Sequence, residues 1–187
     1  MTRFKGSGIT THFIHVRTAR TWGLCLLLLL IVTPAAASKG TDGILTRLTP
    51  DNLAVVDQGY IVYQQHCAAC HGAELEGQPN WRQRDSNGLL PAPPHDETGH
   101  TWHHADDLLF EITKFGAARV INDPSYQSAM PVYENVLSDE EIIAVLSFIK
   151  SRWPEQERGW QEDVNNSQLE SLGIVNESGS ILDKLFK

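Results

Sequence analysis

The feature that most constrains this chain of 187 residues is a short run in which two cysteines are followed by a histidine, C-A-A-C-H at residues 67–71. The chain has three cysteines, and the third, Cys25, lies in an apolar run near the N-terminus. A bond between two thiols three positions apart would close only a small loop and would contribute little to stability. We therefore expect Cys67 and Cys70 to serve the chemistry of the protein rather than to cross-link its fold.

Three chemistries use a C-x-x-C spacing, and the surrounding sequence favours one of them. A structural zinc site needs four ligands, often two cysteine pairs, and this chain has no second pair. A thioredoxin-like redox motif follows a strand, whereas residues 51–66 have the periodicity of a helix. C-x-x-C-H is also the signature of c-type haem attachment. The sequence therefore predicts one covalent haem c, with thioethers to Cys67 and Cys70 and with His71 as the proximal iron ligand.

Met130 is the candidate for the distal iron ligand. The chain has one other methionine, Met1, which would leave with an N-terminal signal segment. Pro131 disfavours a helical conformation at Met130 and places this thioether on an extended loop. Ligation by methionine and histidine raises the potential of a haem and suits electron transfer. The alternative for Met130 is a gap-filling position in the hydrophobic core.

A histidine-rich loop offers alternative ligands for the haem iron or for a second metal. One of its histidines could replace Met130 on the haem, or the cluster could bind a second metal such as copper, which imidazole suits. A haem-based metal-binding or sensing module is therefore the alternative function, and ordinary solvated loop histidines are the third possibility. The residues concerned are His95, His100, His103 and His104.

The N-terminal residues 1–37 have the pattern of a secretory signal peptide. They contain four Lys and Arg residues and no acid, then the apolar run 22–32 and the small residues "AAAS". The apolar run is shorter than the roughly 20 residues that span a bilayer. We expect cleavage after Ala37 and a periplasmic or exported protein, with an uncleaved membrane anchor as the alternative.

The charge of the chain bears on its partners. The formal net charge is −8, and loss of the four N-terminal cations would make it −12. Such an acidic protein is a poor ligand for nucleic acid or an anionic membrane. We expect redox protein partners with a basic docking face, because opposite charge steers association.

Helical periodicity predicts two helices around the motif, over residues 51–66 and in the segment "ADDLLFEITKFG" at 105–116. Asp106 and Asp107 favour the start of the second helix, and Gly116 favours its end. The apolar stripes expected to face the core are Leu53, Val56, Tyr60 and Tyr63 on the first helix, and Leu108, Ile112 and Phe115 on the second.

A third helix has the clearest signals. Ser138 and Glu141 have the spacing of a capping box, and Pro154 follows the helix as a stop. The loops between the helices, 72–104 and 117–137, are long enough to be functional and are expected to wrap the haem. The apolar face expected for this helix is Ile142, Val145, Leu146 and Ile149.

With these residues in place, the chain resembles the class I c-type cytochromes over about residues 51–154. The residues that carry the resemblance are C-A-A-C-H-G at 67–72, Met130-Pro131 and the capped helix "LSDEEIIAVLSFIKSRWP". The segment "LPAPPHDETGHTWHHADDLLFEITKFG" is also similar to small exported bacterial monohaem cytochromes. The resemblance implies an all-α fold of three to four helices wrapped around one covalently attached haem.

The resemblance also implies a function and two contacts. It implies a monohaem carrier of single electrons between redox partners outside the cytoplasm, not itself an enzyme, although it could be a subunit of an oxidoreductase complex. A haem peroxidase, which needs an open sixth position, is the enzymatic rival. The implied contacts are a helix crossing at Gly59, Tyr63 and Phe148, and a carbonyl from Pro91, Pro93 or Pro94 that orients His71.

The flanking regions complete the predicted organisation. Residues 38–50 are expected to be a linker between the signal segment and the cytochrome domain, residues 51–154. Residues 155–187 are polar and acidic and are predicted to be a mobile extension. A short docked amphipathic helix formed by Ile181, Leu182, Leu185 and Phe186 is the alternative for its end.

Overall fold

The structure, a computed structural model, describes residues 46–174, and every regular element in that range is a helix. This confirms the all-α prediction. No helix in the described range is long and apolar enough to cross a membrane. The predicted signal segment, most of the predicted linker and the last apolar residues of the chain lie outside the described residues. The helices are α1 (Leu53–His66), α2 (Ala68–His71), α3 (Asp106–Phe115), α4 (Ala117–Val120), α5 (Asp139–Ser151) and α6 (Glu155–Ser171), with a 3₁₀ turn at Thr101–His103.

The crossing of α1 and α5 is the centre of the fold. At Gly59 the two backbones come so close that a Cβ atom there would lie 2.0 Å from the carbonyl oxygen of Ala144 and 2.8 Å from the Cβ of Phe148. The ring of Tyr63 packs on that of Phe148 with centroids 5.3 Å apart. The structure thus has the glycine–aromatic contact that the resemblance implied.

The buried face of α1 differs from the predicted stripe. Gly59, Val62 and Tyr63 are buried, whereas Leu53 is 76% exposed and Tyr60 is 51% exposed. The helix was predicted correctly, but its orientation was partly wrong. The reason is that the residue at the centre of the contact, Gly59, has no side chain and so contributes nothing to a hydrophobic periodicity.

Helix α5 is as predicted at both ends. The Ser138 hydroxyl accepts a hydrogen bond from the Glu141 amide, and the Glu141 carboxylate accepts one from the Ser138 amide, which is the expected capping box. The helix ends at Ser151, three residues before Pro154. Its four predicted core residues, Ile142, Val145, Leu146 and Ile149, are all at most 5% exposed.

Helix α3 lies within the predicted segment and ends before Gly116 as expected, but it turns a more polar face inward. Its buried residues are Asp106, Leu109 and Thr113, and the predicted stripe of Leu108, Ile112 and Phe115 is only half-buried. The Thr113 hydroxyl donates to the carbonyl of Leu109 at 2.8 Å, so burial leaves it satisfied. A buried aspartate and threonine on this face are what a search for apolar stripes overlooks.

The expectation of a mobile extension after Pro154 was wrong for residues 155–171, which form α6. Helix α6 buries Gln161, which is 0% exposed, and Asn165, which is 5% exposed. The Gln161 amide donates to the Asp106 carboxylate at 2.5 Å, and the Asn165 side-chain oxygen accepts from the Asp106 backbone amide at 2.8 Å. The helix therefore docks through buried hydrogen bonds rather than through an apolar stripe, and its polar sequence concealed this.

A buried ion pair joins α3 and α5 at the same place. The Lys150 ammonium lies 3.3 Å from the Asp106 carboxylate, and the two side chains are 6% and 2% exposed. The same carboxylate accepts the backbone amide of Leu48 at 3.1 Å. Asp106 therefore joins α3, α5, α6 and the segment that precedes α1.

We predict that Gly59→Ala destabilises the protein, because the new methyl group would meet the Ala144 carbonyl and the backbones would have to separate. Overpacking of this kind costs about 1–3 kcal/mol of unfolding free energy, measurable by chemical denaturation. Gly159→Ala on α6 is the matched control, since a Cβ there meets nothing within 4 Å. That change should stabilise by roughly 0.5–1 kcal/mol, the helix preference of alanine over glycine. Equal effects of the two substitutions would contradict the account of the crossing.

Candidate haem-binding site

The C-x-x-C-H residues lie where α1 ends and α2 begins. The Cys67 amide still donates to the Tyr63 carbonyl at 2.9 Å, and the His71 amide donates to the Cys67 carbonyl at 2.9 Å, so one tight turn carries the whole motif. Neither cysteine is in a disulfide; Cys67 is half-buried and Cys70 is exposed. Two free thiols and an imidazole are therefore held together on one rigid turn.

The state of Cys67 is not that of a redox-active thiol. Burial, and secondarily the neighbouring Cys70, raise the pKa of the Cys67 thiol to about 11. Reactive cysteines in thiol–disulfide enzymes have the opposite property, a lowered pKa that makes thiolate available near neutral pH. The raised pKa of Cys67 therefore does not favour thioredoxin-like chemistry at this residue.

The orientation of the His71 ring is fixed by one hydrogen bond. Its Nδ1 lies 2.9 Å from the carbonyl oxygen of Pro93. Because a carbonyl can only accept, Nδ1 must carry the proton and Nε2 keeps its lone pair. Burial lowers the pKa of His71, partly offset by the Pro93 carbonyl, so the ring stays neutral, which is the form that binds a metal. The structure thereby selects Pro93 among the three candidate prolines.

The Pro93 carbonyl is itself held by hydrogen bonds between two loop segments. The Gln78 amide donates to the Ala92 carbonyl at 2.8 Å, and the His95 amide donates to the Leu75 carbonyl at 2.7 Å. Gly77 sits between them with φ +68°, and a Cβ atom there would lie 2.4 Å from the nitrogen of Pro94. This glycine permits the close approach of the two segments, and no motif search of the sequence identified it.

Met130 lies on a loop that is tied to the haem-attachment turn. The Tyr133 hydroxyl donates to the carbonyl of His66, the residue before Cys67, at 2.8 Å. Met130 is half-buried and packs against the hydrophobic core, as Cys67 does. The Met130 amide donates to the Ser128 hydroxyl at 3.1 Å. Met130 and Cys67 therefore border the same apolar cluster, although they lie about 60 residues apart in sequence.

The histidine-rich loop does not form one cluster. The His95 ring is stacked on His71, with centroids 4.0 Å apart. His100 stacks on Trp81 and meets His104 edge-on, each at 5.3 Å, while His103 stacks on Trp102 at 3.7 Å. Between residues 46 and 174 no group of three or more His, Cys, Asp or Glu side chains is arranged to hold a metal ion. The loop thus supplies little support for a second metal site.

The donor set fits a covalently attached haem. It combines two unbonded thiols one turn apart, a neutral imidazole whose Nδ1 proton is engaged and whose Nε2 is available, and a thioether at the edge of the same apolar cluster. Soft sulfur donors and imidazole are the ligands that haem iron takes in c-type cytochromes. The hydrogen bond from His71 Nδ1 to the Pro93 carbonyl also provides the outer partner that metal-binding histidines usually have.

We predict that Gly77→Ala perturbs the loop that carries the Pro93 carbonyl. The control is Gly88→Ala, since Gly88 also has a positive φ, +81°, but a Cβ there meets nothing within 4 Å. Both variants incur the roughly 1–2 kcal/mol strain of a left-handed L-residue. Gly77→Ala should lose about 1–3 kcal/mol more because its methyl group overpacks against Pro94. Chemical denaturation measures both, and an equal loss would show that the close approach at Gly77 is unimportant.

The comparison with known families agrees with this geometry. The model of the family described as Cytochrome c matches residues 56–153, which is more than half of the chain. No curated protein and no solved structure matches the chain. The family match spans the attachment turn, the Pro93 loop, Met130 and α5. The chain therefore belongs to the cytochrome c family, whose members bind haem and transfer electrons to and from redox partners.

Proposed function

We propose that this protein is a monohaem c-type cytochrome that carries single electrons between protein partners outside the cytoplasm. The observation that carries the proposal is the hydrogen bond of 2.9 Å from His71 Nδ1 to the Pro93 carbonyl. It directs the imidazole of a C-x-x-C-H turn so that Nε2 is the free donor atom, which is what an axial histidine requires.

Each residue of the proposed site has a separate task. Cys67 and Cys70 would hold the porphyrin through thioether bonds, and His71 and Met130 would ligate the iron. When bound, the haem supplies a one-electron couple between ferric and ferrous iron. The protein sets the potential of that couple through its axial ligands, their hydrogen bonds and the degree of burial.

A carrier function is consistent with Met130 as sixth ligand. A thioether favours ferrous iron over ferric iron and raises the potential. Enzymatic chemistry on small molecules, as in a peroxidase, needs a sixth position that is open or easily displaced. The ties from the Met130 loop to His66, through Tyr133, support a fixed ligand rather than a displaceable one.

The location and the partner are part of the proposal. The signal-like residues 1–37 support export to the periplasm or beyond, where haem attachment of this type takes place. The described surface supports a basic partner, because most cations there already pair with acids while many carboxylates remain unpaired. The pairs are Arg47–Glu162, Lys114–Asp139, Arg119–Glu134 and Arg158–Asp51.

We predict that the full chain, produced together with a haem-attachment system, gains the mass of one haem that survives denaturation. The double variant Cys67→Ser, Cys70→Ser should gain none, because thioether bonds need the thiols. Cys25→Ser is the matched control and should keep its haem, since this cysteine lies in the signal-like run. Mass spectrometry decides the matter, and a wild-type protein without covalent haem would refute the proposal.

We predict that Met130→Ala lowers the midpoint potential and opens the ferrous iron to carbon monoxide. The fall should be on the order of 0.1 V, a fraction of the roughly 0.8 V over which axial ligands set haem potentials. The weak far-red absorption band of a methionine-bound ferric haem should also disappear. Val132→Ala, two residues along the same loop and at a side chain that is 50% exposed, should change none of these properties. A Met130→Ala protein with the wild-type potential and no carbon monoxide binding would remove Met130 from the site.

A further inference from the structure

We propose that His95 is a positioning residue that fixes the plane of the His71 imidazole by packing against its face. The proposal rests on the proposed function, since it takes His71 to be the proximal iron ligand. It assigns to the histidine-rich loop a role that is neither iron ligation nor binding of a second metal.

The first observation is the geometry of the two rings. Their centroids are 4.0 Å apart and their planes differ by 19°, so the rings lie face to face. The hydrogen bond from Nδ1 to Pro93 constrains the His71 ring at one edge. A ring held only at an edge can still rock about that bond, and the stacked His95 ring blocks the motion from one side.

The second observation is that His95 is itself held at three points. Its backbone amide donates to the Leu75 carbonyl at 2.7 Å, and its carbonyl accepts the indole N–H of Trp153 at 2.7 Å. Its Nδ1 forms a hydrogen bond of 2.8 Å with the Thr101 hydroxyl. Trp153 is 4% exposed and Thr101 is 5% exposed. A ring anchored in this way is a rigid support for the face of the His71 ring rather than a mobile loop side chain.

The same contacts explain why His95 is not an iron ligand. Its ring is stacked parallel to that of His71, whereas two imidazoles that ligate one iron would approach it from opposite sides. Its Nδ1 is already engaged by Thr101.

The consequence concerns the basicity of the ligand. A hydrogen bond from Nδ1–H to a carbonyl makes the opposite nitrogen more electron-rich, and its strength depends on alignment. An electron-rich ligand favours ferric iron. Loss of the His95 ring should loosen the alignment of the hydrogen bond from His71 to Pro93. His71 would then donate less electron density to the iron, and the midpoint potential should rise.

The test compares His95→Leu with His95→Phe in the protein carrying its haem. Leucine removes the aromatic face, whereas phenylalanine keeps a flat ring in the same place. We expect His95→Leu to alter the pattern of paramagnetically shifted haem methyl resonances, which reports the plane of the axial imidazole. At the wild-type midpoint the ratio of reduced to oxidised protein should rise by up to about tenfold, the lower end of the effect of losing a group that orients a metal ligand. His95→Phe should retain the wild-type pattern.

Two further variants keep the test decisive. Thr101→Val preserves the shape of the residue but removes the hydroxyl that anchors the His95 ring. It should shift the haem methyl resonances in the same direction as His95→Leu and by less. It also provides the test if the His95→Leu protein does not acquire its haem. His103→Leu is the matched control, since this exposed histidine stacks on Trp102 and has no contact with His71. It should leave the resonances and the potential unchanged.

The outcomes separate the two proposals. Variants at His95 and Thr101 that lose thermal stability but keep the wild-type resonances and potential would show that His95 only fills space, which overturns the positioning role. A changed pattern in His103→Leu equal to that of His95→Leu would overturn it as well. A wild-type chain without covalent haem would instead refute the proposed function itself, and the mass spectrum shows that before any variant is made.

Discussion

The backbone contact between α1 and α5 at Gly59 is the constraint on which both halves of the site depend. Helix α1 ends in the turn that carries Cys67, so its crossing angle and depth fix where the thiols lie. Just after α5 comes Trp153, whose indole N–H reaches the carbonyl of His95. The close approach of α1 and α5 is possible because Gly59 has no side chain. It therefore fixes the position of the turn that carries Cys67 relative to Trp153, which supports the loop of Pro93 and His95.

A second constraint is electrostatic and lies in the last turn of α5, at Lys150. The Asp106 carboxylate, buried with Lys150, accepts hydrogen bonds from Leu48 and Gln161 as well. A buried ion pair contributes little net stability compared with a well-packed apolar contact, yet removal of one partner leaves an uncompensated charge at a cost of about 3–5 kcal/mol. Such a network therefore determines which helices come into contact and adds little to the free energy of unfolding. Here it includes Gln161 of α6, and the packed helices therefore extend beyond Pro154.

The sequence was sufficient wherever the signal is local. C-x-x-C-H and the capping box at Ser138 are each read within five residues. The motif lies at the end of a helix, as expected, and the capping box has the expected hydrogen bonds. The sequence did not predict packing that depends on a missing side chain or on a polar group whose partner is distant in the chain. Gly59 turned the inward face of α1 away from the predicted stripe, and α6 docks through Gln161 and Asn165, residue types that composition assigns to solvent. Neither the backbone contact at Gly59 nor the hydrogen bonds of Gln161 and Asn165 produce a periodic pattern in the sequence.

The choice of Pro93 shows why the hydrogen-bond partner of His71 could not be predicted from the sequence either. Pro91, Pro93 and Pro94 are equivalent as a pattern, and they differ only in which carbonyl two loop-closing hydrogen bonds bring to His71. Those bonds, Gln78 to Ala92 and His95 to Leu75, join residues 14 and 20 positions apart and depend on the missing Cβ of Gly77. Once they form, Pro93 meets the edge of the His71 ring and His95 meets its face. The axial ligand is thus oriented by backbone closure, and loop residues that look interchangeable in the sequence acquire distinct roles.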